Sequence, residues 1–210
     1  MINNKLEIKL EPGQRVFFTS DTHFGHKNVI QFCSRPYETV SEMQRGLIEG
    51  WNSLVSDQDI VFHLGDFSWW DSNTEIKKIC SKLKGKQIYP VPGNHDLEKG
   101  WREVPDRVTI LSSVVQLWIR DQKDDGLIFK CILSHYPLMT WNKREEGVPN
   151  LHGHLHGCKG QGRDGNGNPD ANLPFHWNQL DVGVDCWDYK PAELTAIQIA
   201  LELRENFQGN

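Results

Sequence analysis

Three short apolar runs early in the chain each stop in a polar turn, and that repeat limits the fold more than any other feature. Val16-Phe17-Phe18-Thr19, Ile60-Val61-Phe62-His63-Leu64 and Gln87-Ile88-Tyr89-Pro90-Val91 are too short for helices, and the first two are rich in β-formers; all three read as strands. They end in Ser20-Asp21-Thr22-His23-Phe24-Gly25-His26, Gly65-Asp66 and Pro92-Gly93-Asn94-His95-Asp96. Between them lie two helices, each opened by a capping box, Thr39-Val40-Ser41-Glu42 and Ser72-Asn73-Thr74-Glu75. Met43, Leu47, Trp51, Leu54 and Val55 continue the first at helical spacing; Ile76, Ile79, Cys80 and Leu83 continue the second up to Gly85. Strand, helix, strand, helix, strand is the order of an α/β fold.

The second half reads differently. Val108 to Leu111, Ser113 to Ile119 and Leu127 to Leu133 are predicted strands, the last running into Ser134-His135-Tyr136-Pro137. Leu151-His152-Gly153-His154-Leu155-His156-Gly157 follows; if it runs extended, alternation puts His154 and His156 on one face. Cys158 to Asn178 is a Gly/Asn/Pro-rich loop, Gln179 to Asp185 one more strand, and Pro191 the first residue of a helix through Leu203. Asp164-Gly165-Asn166-Gly167-Asn168 hints at a calcium loop, but Pro169 and Phe175 stand where an EF-hand needs glycine and glutamate. No repeat or linker divides the 210 residues, and 38% hydrophobic content can bury a core, so a single domain over residues 1–210 is expected.

A formal net charge of −5 argues against a sequence-nonspecific grip on nucleic acid, which rests on neutralising phosphates with Lys and Arg. A phosphorylated substrate stays open, because bound cations reverse the sign locally. Five scattered cysteines without a CxxC pair read as reduced thiols. The N-terminus resembles neither a signal nor a transit peptide, and no apolar run is long enough to span a bilayer. A soluble, cytoplasmic protein with no membrane contact is the expectation.

Asp21, His23, Asp66, Asn94, His95, His135, His154 and His156 share one address, the turn just after a strand, which is where ligand sites form in open α/β sheets. Singly, each is explained by a cap, a turn or a hydrogen-bonded histidine; eight at equivalent positions are not. In chain order, Asp21-Thr22-His23, Gly65-Asp66, Gly93-Asn94-His95-Asp96, His135 and Gly153-His154-Leu155-His156 resemble the five motifs of the calcineurin-like metallophosphoesterases over roughly residues 16–185. The extended first motif and Val182-Gly183-Val184-Asp185 resemble the small bacterial and phage members.

The resemblance implies a four-layer αββα sandwich of two mixed sheets flanked by helices, with a dinuclear metal site at the strand C-terminal ends. It implies one metal on Asp21, His23, Asp66 and His156 and another on Asp66, Asn94, His135 and His154, bridged by Asp66. The metals would be divalent transition ions, Mn favoured over Fe, Zn or Ni, since mixed imidazole, carboxylate and amide donors do not choose among them. The implied reaction is hydrolysis of phosphate mono- or diesters, diesters slightly favoured, by in-line attack of a metal-bridging hydroxide. Asp66 and His95 would be catalytic, His95 protonating the leaving oxygen. Asn94, His26 and Arg35 would contact substrate, Arg35 by clamping a phosphate oxygen. His26 is equally a cap for the turn at Lys27. The substrate would be a phosphorylated small molecule or nucleotide.

One departure stands out. Many family members carry a second acid in Gly-Asp-x-x-Asp that supports the catalytic histidine; here Trp69 stands there, leaving Asp71, Asp96 and Asp185 as candidate partners of His95. Trp69, Trp70, Trp141 and Trp187 lie near motif loops and could stack on a ring, though core packing is the commoner fate of tryptophan. His63 reads as a packed histidine, and His152 as outside the ligand set. The rival readings are a catalytically weak scaffold of the same fold that binds a protein partner, against which the complete ligand set argues, and a metallo-β-lactamase-type hydrolase, whose His-x-His-x-Asp-His is absent.

Overall fold

Strands buried on both faces need apolar residues at successive positions, and β-branched and aromatic runs supply them here. The computed structural model describes residues 4–69, 73–96, 104–157, 162–163, 169–170 and 176–208. Strands β1 (Lys5–Leu10) and β2 (Val16–Thr19) lead into helices α1 (Lys27–Phe32) and α2 (Val40–Leu54). Then come β3 (Ile60–His63), α3 (Asn73–Cys80) and β4 (Gln87–Pro90), followed by β5 (Val114–Asp121), β6 (Leu127–Ser134) and β7 (Asn150–His152). The chain continues through β8 (Gly162–Arg163), β9 (Pro169–Asp170), β10 (Gln179–Asp181) and β11 (Ala192–Glu193) to α4 (Leu194–Gln208).

Two mixed sheets result, ordered β11-β2-β3-β4 and β1-β5-β6-β7-β10. β2, β3 and β4 are parallel, with Phe17 beside Val61 and Val61 beside Ile88. Because strand side chains alternate, Phe17, Val61 and Ile88 pack on the helix side with Met43, Leu47 and Trp51 of α2 and Ile76 and Ile79 of α3. Val16, Phe18, Ile60 and Phe62 point the other way, into a core shared with Leu117, Ile119 and Leu133 of the second sheet and Leu194 and Ile197 of α4. The fold is therefore two mixed sheets flanked by helices. The α2 capping box is formed: Thr39 Oγ1 accepts the Glu42 N–H at 3.2 Å and the Glu42 carboxylate accepts the Thr39 N–H at 3.2 Å. Among the described residues no helix is long and apolar enough to cross a membrane.

Several sequence expectations need correction. β1 escapes an apolar-run criterion because Lys5-Leu6-Glu7-Ile8-Lys9-Leu10 alternates, with only Ile8 fully buried on this edge strand. Val108 to Leu111 forms no full strand; it follows β4 by hydrogen bonds from Thr109 N to Ile88 O and Leu111 N to Pro90 O, with one bridge at Val108. β10 stops at Asp181, and a 3₁₀ turn (Val184–Cys186) takes over the rest of that segment. Pro191 does not open the last helix: Ala192 first pairs antiparallel with Phe18, closing the sheet edge, and α4 starts at Leu194. Asp164–Asn168 and the Ser72 cap lie outside the described residues.

Buried Asn150 ties the second sheet together where it approaches the polar loops. Its amide donates to Ile132 O (3.2 Å) and Ser134 Oγ (2.9 Å), and its oxygen accepts from Leu138 N (3.1 Å) and Gln179 Nε2 (3.2 Å). Asn150→Ala strands several buried partners at once, at roughly 1–3 kcal/mol for each group left unsatisfied. Urea unfolding is expected to show a loss of at least about 2 kcal/mol with an unchanged m-value.

Candidate metal centre

Every residue of the predicted ligand set lies just beyond the carboxyl end of a strand. Asp21 and His23 follow β2, Asp66 follows β3, Asn94 and His95 follow β4, His135 follows β6, and His154 and His156 follow β7. Parallel β2, β3 and β4 deliver their loops to one edge, and β6 and β7 of the other sheet deliver theirs to the same place. Asp21 N donates to Gly65 O (2.9 Å) and His23 N to Asp66 O (3.0 Å), so the first two loops run side by side; Gly153 N donates to His135 O (2.9 Å), joining the last two.

The side chains converge on Asp66. Its Oδ2 lies 3.5 Å from His23 Nε2 and 3.5 Å from His135 Nε2, and its Oδ1 accepts the His95 N–H at 3.0 Å. On one side, Asp21 Oδ1 is 3.9 Å from both His23 Nε2 and His156 Nε2. On the other, His135 Nε2 is 2.9 Å from Asn94 Oδ1 and 3.2 Å from His154 Nδ1. Asp21, His23 and His156 form one group whose donor atoms could hold a single cation; Asp66, His135 and His154 form another.

The histidine segment reaches this arrangement by a route that alternation did not foresee. β7 ends at His152, and His154 (φ 71°) and His156 (φ 50°) are in left-handed turns, not in a strand. Asp21 (57°), His23 (49°) and Asp66 (56°) are left-handed as well. Five of the ten non-glycine residues with positive φ among the described residues are therefore in this set, at about 1–3 kcal/mol each. Strain concentrated on one cluster is what a functional site shows, not what random loops show.

Electrostatics explain the pairing. Burial raises the Asp21 carboxyl to about 6, against the pull of His156 and His135. Burial opposes charge on His156, yet its bond to Asp185 lifts it to about 11; burial likewise opposes charge on His135, yet Asp66 and Asp21 lift it to about 9. Asp66 is held well below the usual carboxylate range despite burial, chiefly by His135. Burial holds the His23 imidazole neutral. Carboxylates and imidazoles thus shift one another towards opposite charge, the kind of balance a bound cation would supply.

Three further acids support the set from behind. Asp96 accepts the N–H groups of Asp66 (2.6 Å), Gly93 (2.9 Å) and Phe67 (3.1 Å), which fixes the Asp66 turn and leaves no bond to the His95 ring. Asp181 accepts from Gly183 N (2.7 Å) and Gly157 N (3.2 Å). Asp185 accepts from His156 Nδ1 (2.7 Å) and Arg35. Neither Asp96 nor Asp185 is the partner of His95, and Asp71 lies outside the described residues. The His95 ring instead sits 4.9 Å from the Trp69 ring, which stacks on His26 at 4.0 Å and 13°.

Arg35 corrects an expectation. Its guanidinium donates to Asp185 Oδ1 and Oδ2 (2.8 Å each), Asp21 O (2.7 Å) and Thr22 O (3.1 Å), with Met43 Sδ at 3.5 Å. All five donors are used inside the protein, so none is left to clamp a phosphate. His26 makes no side-chain cap bond for α1; its ring stands between His23 and Trp69. His63 is buried and bonds Thr22 Oγ1 at 2.9 Å. His152 is buried and donates Nδ1–H to Gly153 O at 2.9 Å. Tyr136 was missed: its hydroxyl donates to Asn94 Oδ1 (3.2 Å) and its ring lies 4.4 Å from His154. Its place beside His135 was the only signal. Cys33, also missed, forms a further potential ligand group with His156 and Asp185, and His23, Asp66 and His95 form a fourth. Of the other tryptophans, Trp141 and Trp187 are bonded to Val148 O and Asp181 O, and Trp70 lies outside the described residues.

The family model of the calcineurin-like phosphoesterases matches residues 14–195, which contain every residue of this centre. The chain belongs to that family. A calcineurin-like phosphoesterase is a metal-dependent hydrolase of phosphate esters, and its residues here pass a direct test of fit. Asp21 Oδ1 and His23 Nε2 are buried side-chain atoms without a hydrogen-bond partner, both aimed into the first ligand group. Orphaned buried acceptors and imidazoles are costly unless something binds them.

An uncharacterized protein of Methanocaldococcus jannaschii is 39% identical over 192 residues, covering 90% of this chain and 92% of its own. The gene 66 protein of Mycobacterium phage L5 is 26% identical, covering 81% and 86%. A crystal structure of a protein of unknown function from Aquifex aeolicus shares the fold, with TM-score 0.57 and 22% identity, covering 89% of this chain and 99% of its own.

Gly153 marks a close approach of the two sheets' loops. A Cβ there would overlap the Ser20 hydroxyl and the Asp21 carboxylate. Gly153→Ala is expected to fold but to lose divalent-metal affinity by at least about tenfold, measured by isothermal titration; unchanged affinity would remove the tight-approach argument.

Proposed function

We propose that this phosphoesterase is a dinuclear enzyme in which Asp21, His23, Asp66 and His156 hold one cation and Asp66, Asn94, His135 and His154 the other. The observation that supports this is the equal 3.5 Å reach from Asp66 Oδ2 to one histidine of each group, the placement expected of a shared ligand. Two divalent cations, when bound, cancel phosphate charge and acidify a bound water. The donor set suits Mn, Fe, Zn or Ni, with Mn the first choice.

The remaining work falls to the chain. His95 is the group placed to give a proton to the leaving oxygen: its side chain is one-third exposed, whereas His23 and His135 are buried beneath it. Its backbone N–H holds Asp66 Oδ1, so the shared ligand and the proton donor are fixed by one loop. Asn94 and His26 flank it as substrate contacts, and exposed Trp69 walls one side. The substrate is a phosphorylated small molecule or nucleotide carrying a mono- or diester, diesters preferred.

Assays with Mn, Ni or Zn of bis-p-nitrophenyl phosphate against p-nitrophenyl phosphate test this. Turnover of at least one ester is expected, with Asp66→Asn inactive and depleted of metal; no turnover from a protein that binds no metal defeats the reading. His95→Ala is expected to keep both metals and lose about 10²–10⁴-fold in kcat. Loss of metal in that variant would make His95 a ligand instead of a proton donor.

A further inference from the structure

We infer that Arg35 and Asp185 are positioning residues that make the two cation sites unequal, so that the Asp21/His23/His156 site binds its ion more tightly. This rests on the dinuclear reading above. Asp185 Oδ2 accepts a hydrogen from His156 Nδ1 at 2.7 Å, which commits Nε2 to face Asp21 Oδ1 and the His23 ring, stacked 5.2 Å away. Arg35 then locks Asp185 with a two-pronged pair at 2.8 Å to each oxygen, its own side chain fully buried. The remaining guanidinium hydrogens hold the carbonyls of Asp21 and Thr22 (2.7 and 3.1 Å).

One side chain therefore fixes the turn that bears Asp21 and, through Asp185, the ring of His156. These come from different sheets, so Arg35 closes the first site across the sheet interface. The second site has a weaker counterpart: His135 Nδ1 donates to a neutral carbonyl, Leu64 O, at 2.8 Å. A carboxylate behind a ligating imidazole raises its donor strength and fixes its orientation more than a carbonyl does. Lysine cannot replace Arg35, because one ammonium cannot span both carboxylate oxygens and two carbonyls.

Stepwise titration of metal-free protein with Co²⁺, followed by calorimetry and visible absorption, tests this. The wild type is expected to take two equivalents, the first tighter. Asp185→Ala should weaken one site by about 10–100-fold and alter the absorption of the first equivalent, while the other site stays within about twofold. Asp185→Asn, which keeps an acceptor for Nδ1 but no charge, should fall between, and Arg35→Lys should resemble Asp185→Ala. Thermal unfolding of each metal-free variant reports folding; if Asp185→Ala does not fold, Asp185→Asn carries the same criterion. Two equivalents in the wild type with neither site changed, or both weakened equally, in the folded variants overturns the inference alone. Fewer than two equivalents in the wild type overturns the dinuclear reading and the inference with it.

Discussion

Asp66 is buried, with 2% of the residue exposed, and the polar end of the fold is arranged around the need to keep its carboxylate charged there. Removing a carboxylate from water costs several kcal/mol unless hydrogen bonds and opposite charge replace the solvent. Replacement comes from two directions, the His95 amide after β4 and the His135 imidazole after β6, while Asp96 accepts the Asp66 amide and so fixes the turn. No single loop could supply these. Parallel strands starting from one register and ending at one edge do.

Holding those groups at short range has a local cost. Five site residues take the left-handed backbone region, and glycines stand where loops press against carboxylates. Such strain persists only if the surroundings over-determine it. Here the surroundings are the two apolar layers: the sheet-to-sheet core around Phe18 and Phe62, and the helix-side core around Phe17 and Trp51. The rigid layers allow the polar edge to be strained, and that edge carries the candidate metal centre.

Much of the site was legible in the residues. Asp21, His23, Asp66, Asn94, His95 and His135 each follow an apolar run, the alternating histidine segment added His154 and His156, and the ordered motifs named the family. What lay behind them was less legible. Arg35 reads like a surface arginine before Pro36, and nothing local says that Asp185, 150 positions later, fills its fork. Tyr136 and Cys33 carry no periodic signal. β1 was hidden because an edge strand needs only one apolar face.

The sequence alone determined the strand-and-turn order of the first half, the acids and imidazoles that follow each strand, and membership of the family, because these depend on residue type and spacing. It could not determine the backbone route by which the histidines after β7 reach the two sides that the family resemblance implied. Alternation assigned His154 and His156 to one face of a strand, whereas the chain turns left-handed at each and sends them to different sides of Asp66. That choice belongs to the tertiary structure, because it is made by contacts from other elements: the Asp21 carboxylate accepting the His154 amide, and the Arg35–Asp185 pair holding the ring of His156.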